Sequence, residues 1–200
     1  MAFSEVTGNF PYCSWNGGYN NNSGVGAYYA DFHGCLQQIL TPVRLNCSNI
    51  YLEDNDFYDS MAHVILEAFQ NGSHTISISN LKLMSFLQEK YPNFKFVLSR
   101  DAHLITPFTP DLINTLIESE KFSLIELPAS LTQDFNFLKE IERRNKLEIL
   151  INPICSDKCS NLKQCQVNSH YTQISYSNKN VYKTCAKCFD YLDNPNTISL

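Results

Sequence analysis

The feature that most constrains this chain is an alternation that runs through residues 43–154. Apolar, β-branched runs occur at Val43–Ile50, His74–Ser79, Phe94–Ser99, Phe122–Leu127 and Leu147–Ile151, and helical patterns lie between them. Asn55–Asn71 places Phe57, Met61, Val64, Ile65, Ala68 and Phe69 at helical spacing, with Gly72 as a stop. Asn80–Tyr91 does the same with Leu81, Leu83, Met84, Phe86 and Leu87, and Pro92 ends it. Thr109-Pro110 reads as a cap followed by Pro at the first helical position, opening a helix over Asp111–Glu118. Thr132–Asn145 carries Phe135, Phe137, Leu138 and Ile141 on one side. Strands separated by helices of this length join through right-handed crossovers into a parallel sheet. Five such βα units are visible. A closed eight-unit barrel needs roughly 250 residues, more than the 200 present. The fold expected is therefore α/β, with repeated βα units forming a partial or truncated TIM-like barrel, followed by a cysteine-rich C-terminal segment. An open sheet of this kind has an edge that invites pairing, so a homodimer or a partner subunit completing the sheet is expected.

Three regions follow from composition. Residues 1–42 hold only Glu5 and Asp31 as charges and are rich in Gly, Asn and Tyr; they read as irregular, either a flap or leader packed on the main domain or a poorly ordered terminus. Residues 43–154 are the βα-repeat domain. Residues 155–200 are the cysteine-rich, metal-binding segment. The hydrophobic fraction of 44% is that of a globular chain rather than a disordered one. Residues 51–150 hold 15 acids against 9 bases, whereas residues 151–200 hold 3 acids against 5 lysines. No Lys/Arg cluster of the nucleic-acid-binding kind stands out. There is no basic-then-apolar secretory start and no apolar run near the ~20 residues of a membrane span, so the chain is expected in the cytoplasm. In a reducing compartment, eight cysteines point to metal or redox use rather than disulfides.

Two sets of residues could carry chemistry. In parallel α/β folds, sites gather at the carboxyl ends of strands. Those ends read Ser48-Asn49, Ser79-Asn80, Ser99-Arg100-Asp101, Glu126 and Asn152-Pro153-Ile154-Cys155. The asparagines and serines can equally cap the helices that follow. Glu126 lies between Ile125 and Leu127, and alternation puts it on one face with Leu124. His33, His63, His74 and His103 are isolated in sequence and read as structural, as does Cys47 inside the first strand; Cys13 and Cys35 are dispersed in the leader. Gly24-Val-Gly26 follows no strand and is no phosphate loop.

The tail is the stronger signal. Cys155, Cys159 and Cys165 are spaced C-x3-C-x5-C; after nineteen intervening residues Cys185 and Cys188 form C-x2-C. Close thiolate pairs on two chain segments can clamp one centre. Zinc and a [4Fe–4S] cluster each take four ligands, so five cysteines exceed either need by one. The C-x2-C knuckle suits zinc, the C-x3-C start suits an iron–sulfur site, and spacing alone leaves both open.

A run of βα units ending in Asn152-Pro-Ile-Cys155, then Cys159, His170-Tyr171 and Cys185, resembles the U32 peptidase-like superfamily, as do Tyr91-Pro-Asn-Phe-Lys95 and Asn71-Gly72. The resemblance spans roughly residues 43–190. It implies a TIM-barrel-like core, a [4Fe–4S] cluster on four cysteines, and work in hydroxylation or RNA modification, as in the RNA and ubiquinone hydroxylation proteins. Carried over, the ligands are Cys155, Cys159 and Cys185, with Cys188 or Cys165 as the fourth. The alternative is a zinc-stapled binding module without catalysis, or a divergent fragment.

Overall fold

The computed structural model describes residues 5–9, 13–16, 42–70 and 73–149. Six strands form one sheet in the order of the chain: β1 (Val6–Asn9), β2 (Val43–Cys47), β3 (Thr75–Ile78), β4 (Lys95–Leu98), β5 (Leu124–Leu127) and β6 (Leu147–Ile149). Every neighbouring pair is parallel, and the sheet curls into a half barrel. Helices α1 (Ser60–Phe69), α2 (Leu81–Lys90), α3 (Pro110–Glu118), α4 (Ala129–Thr132) and α5 (Phe135–Lys139) fill the crossovers. The five expected strands are present within their windows, parallel and adjacent in order.

Period-2 alternation explains the two faces. Cys47, Ile78, Leu98, Ile125 and Leu147 form one row across the sheet by register. Together with Leu45, Ile76, Phe96 and Leu127, they pack into one core against Leu66 and Phe69 of α1, Leu83 and Leu87 of α2, Ile113 and Ile117 of α3 and Phe137 of α5. The alternate residues, among them Arg44, Asn46, Ser77, Glu126 and Glu148, face the hollow of the curl. The sheet is therefore apolar outside, under the helices, and polar inside.

Two expectations need correction. Val6–Asn9, in the segment read as an irregular leader, forms the sixth strand, aligned with Val43–Asn46. Val-Thr-Gly-Asn is too short and too weakly β-forming to announce itself; its place is fixed by Glu5, which receives hydrogen bonds from Arg44 of β2 and Thr75 of β3. Residues 13–16 of the same leader are also built into the domain. Trp15 is fully buried and donates from Nε1 to the Asp56 carbonyl at 2.7 Å. Asn49 donates from Nδ2 to the Ser14 carbonyl at 2.7 Å. The single helix expected over Thr132–Asn145 is broken into α4, α5 and a 3₁₀ turn at Arg144–Lys146. Asp134 interrupts it by capping α5, accepting from the Asn136 and Phe137 amides.

The helix starts are locally encoded. Asp59 caps α1 through the Met61 and Ala62 amides, and its other oxygen holds the Ser14 amide and hydroxyl at 2.9 Å. Thr109 caps α3 with Pro110 behind it, as its sequence predicts. Asn80 caps α2 through Lys82 and Leu83 while donating from Nδ2 to the Leu52 carbonyl at 3.2 Å. Asn80 is thus a capping residue and not part of the site. Asn80→Ala is expected to destabilise the domain by about 1–2 kcal/mol, read as a lower urea midpoint with an unchanged slope.

Candidate functional site

The hollow of the half barrel holds a cavity of about 360 Å³. Ser48, which follows β2, and Ser99, Arg100 and Asp101, which follow β4, line it at the carboxyl end of the sheet; Glu126 and Glu148 line it from β5 and β6. That is where parallel α/β folds place their ligands.

Arg44 organises the floor. It projects from β2 and is only 6% exposed. Its guanidinium lies 2.6 Å from Glu5, 3.2 Å from Glu126 and 2.7 Å from Glu148. In a flat sheet β2 and β6 would stand about 19 Å apart, four strand spacings. The curl brings their side chains into contact across the hollow. Burial works to lower the Arg44 pKa, but Glu148, Glu5 and Glu126 outweigh it and hold the side chain firmly protonated.

Two acids of the lining, Glu126 and Asp101, have different surroundings. Glu126 Oε1 accepts from Arg44 at 3.2 Å and from the Ser77 hydroxyl at 3.1 Å, and Oε2 accepts from the Arg100 amide at 3.4 Å. Burial raises its pKa, Arg44 opposes that, and Glu148 adds to it. Asp101 is 5% exposed. Burial pushes its carboxyl up to about 6; Arg100 pulls it down, Glu126 pushes it further up and a hydrogen bond from Ser48 pulls it down again. A carboxyl raised in this way stabilises the fold below its unfolded pKa of ~3.9 and loses that contribution as pH rises through its folded value. Wild-type stability is therefore expected to fall by about 2–3 kcal/mol across that window from this group. Asp101→Asn is expected to abolish that slope, as measured by urea unfolding across mildly acid and neutral pH.

Comparison with known proteins finds no matching family model, curated relative or solved structure. The site stands on its geometry alone.

Of the strand-end residues expected to matter, the fold brings Ser48, Ser99, Arg100, Asp101 and Glu126 around one cavity. It assigns Asn80 to a cap and Asn49 to the Ser14 tie. The histidines expected to be structural are so where described. His63 bridges the Tyr91 hydroxyl and the Phe57 carbonyl, while His74 and His103 accept from the Val43 and Phe108 amides. Cys47 is a fully buried core thiol, and burial raises its pKa, as it does that of Cys13. Cys155, Cys159, Cys165, Cys185 and Cys188, together with Asn152, Cys35 and His33, lie outside the described residues. Among the described residues no group of three or more His, Cys, Asp and Glu could hold a metal ion, and no helix is long and apolar enough to cross a membrane.

Arg44, Glu148, Ser77, Asn46 and Glu5 were not singled out by sequence. One signal was present. Arg44 is the sole Lys or Arg before Lys82, and it alternates with Val43, Leu45 and Cys47 in the strand Val43-Arg-Leu-Asn-Cys47. A charge at an inward position of a strand needs a partner in the fold.

Proposed function

We propose that this chain is an iron–sulfur protein of the U32-like type: the hollow of the half barrel binds a polar substrate, and the cysteine segment carries a [4Fe–4S] cluster on Cys155, Cys159, Cys185 and Cys188, with Cys165 as the alternative fourth ligand. The observation that carries the reading is the direction of the sheet. The six described strands are all parallel, and Ser48, Ser99, Arg100 and Asp101, just past the carboxyl ends of β2 and β4, are part of the cavity lining. The chain leaves β6 at that same end, at Ile149, and Cys155 follows Ile149 by six residues in sequence, a reach of at most about 20 Å. The thiolate-rich donor set suits a cluster, which when bound would accept or relay electrons. Work in hydroxylation or RNA modification is the activity this reading favours, in the cytoplasm.

The test is purification without air, followed by iron, sulfide and zinc analysis. About four irons and four sulfides per chain, with visible absorption bleached by a reductant, is the expected result. A colourless protein with one tightly held zinc would replace it with the zinc-stapled binding module. Among the described residues β1 and β6 each pair with one neighbour, which supports a second copy or a partner subunit at an edge; sedimentation of the loaded protein would show it as a species heavier than one chain.

A further inference from the structure

We propose that a row of side chains at the carboxyl end of the hollow binds the hydroxyls of a neutral polyhydroxylated ring, a free sugar or the ribose of a nucleoside, with Ser79 as its central contact. The inference rests on the reading of the hollow as the binding face, adds the class of ligand, and is independent of the cluster.

Register builds the row. Cys47, Ile78 and Leu98 are aligned across β2, β3 and β4, and Leu98 is aligned with Ile125 of β5. These four side chains belong to the core under the helices, so the residue after each turns to the hollow. Those residues are Ser48, Ser79, Ser99 and Glu126, and Glu148 of β6 is aligned with Glu126. Ser48, Ser99, Glu126 and Glu148 all line the cavity. Ser79 stands between Ser48 and Ser99 in the same row.

The three serines are engaged differently. The Ser48 hydroxyl is hydrogen-bonded to the Asp101 carboxyl, and the Ser99 hydroxyl accepts from the Asp101 amide at 3.3 Å. Ser79 is 4% exposed, and its hydroxyl has no hydrogen-bond partner among the described residues. A buried hydroxyl left unpaired costs stability, and folds keep few of them. A ligand O–H seated between Ser48 and Ser99 would supply the missing partner.

The lining sets the class. The wall offers the hydroxyls of Thr7, Ser77 and the serine row, the Asn46 amide, and the carboxylates of Glu126 and Glu148. Hydroxyls and amides donate and accept, whereas carboxylates only accept. An ammonium only donates and a phosphate mainly accepts; a ligand hydroxyl does both and matches every one of these groups. Charge points the same way. Arg44 already engages Glu126 and Glu148, so a cation would have to displace a buried guanidinium, and the same carboxylates repel an anion. The volume of about 360 Å³ is at the low end of the roughly 300–1,000 Å³ of ligand sites, which suits one ring rather than a chain of them.

The experiment is an amide-shift NMR titration of the full chain. The polyol probes are myo-inositol, D-glucose and D-ribose; adenosine and cytidine present the ribose of a nucleoside. Cyclohexanol keeps the ring with one hydroxyl, and putrescine and inorganic phosphate are the charged probes. The expected result is saturable shifts at the Ser48, Ser79 and Ser99 amides from a polyol or a nucleoside and none from cyclohexanol. Binding of the free polyols identifies a sugar, and binding of the nucleosides alone identifies ribose. Ser79→Ala should weaken that binding roughly tenfold. Without ligand, its urea midpoint should be equal to or above that of the wild type, because the substitution removes an unpaired group. A lower midpoint, or unchanged affinity in Ser79→Ala, would overturn the role of Ser79. Shifts from cyclohexanol as large as from the polyols, or from putrescine or phosphate alone, would overturn the ligand class and leave the binding face standing. No saturable shift from any probe would overturn both. None of these outcomes touches the metal analysis.

Discussion

Replacing Arg44 with methionine is expected to destabilise the domain by about 3–5 kcal/mol, toward the lower end because its partners are partly solvated. Glu148 is 40% exposed, whereas Glu5 and Glu126 are 19% and 22%. Methionine keeps much of the volume, so the loss reports the charge. Three carboxylates gathered around one guanidinium would be left facing one another. For a chain of this length the melting temperature should fall by on the order of 10 °C. The pH dependence identifies the cause. Glu126 already has a raised carboxyl pKa, and Arg44 is the main influence opposing that rise; without it the carboxyl climbs further. A carboxyl raised in the folded state stabilises below its unfolded pKa of ~4.3 and withdraws that support as pH rises through the folded value. The Arg44→Met penalty should therefore be smallest in acid and grow toward neutrality. Glu126→Gln in the Arg44→Met background should recover part of it at neutral pH. A penalty equal at every pH would mean that Arg44 acts by packing alone.

The second large effect concerns the tail. Under the proposed function, Cys155→Ser/Cys159→Ser is expected to release the metal completely, because two of four ligands are gone and a structural metal–thiolate site is worth on the order of 10 kcal/mol. Cys47→Ser should leave the metal content unchanged, since Cys47 is a fully buried thiol of the sheet core. Metal-to-protein ratios measured on anaerobically purified variants check both. Full occupancy in the double variant would refute the assigned ligands. Chelation of the wild type should expose residues 155–190 to protease, because ordering a chain costs about 1–2 kcal/mol per residue and the metal offsets a share of that cost.

Much of the scaffold was legible in the sequence because it depends on neighbours a few positions apart. Strand windows come from period-2 apolar runs, and Thr109-Pro110, Asn80 and Pro92 mark helix ends through contacts within one turn. Glu126 could be assigned to a face by parity with Leu124, and it does line the cavity. The same local logic placed Ser48, Ser99 and Asp101 at the functional end of the sheet. It failed at Thr132–Asn145, where a capping aspartate competed with helical periodicity, and at Val6–Asn9, where no local preference marks a strand.

The sequence by itself therefore determined the βα alternation, the parallel sheet it implies, the end of the sheet where polar residues gather, and the cysteine spacing of the tail. The tertiary structure alone decided that Arg44 is the centre of the hollow, that Glu5 and Glu148 join Glu126 around it, and that Asp101 sits buried beside them. The reason is range. Arg44 and Glu148 are 104 positions apart and on strands separated by three others. They meet only because strand twist and tilt accumulate across the sheet into a curl, a sum over many residues that no short stretch of sequence records.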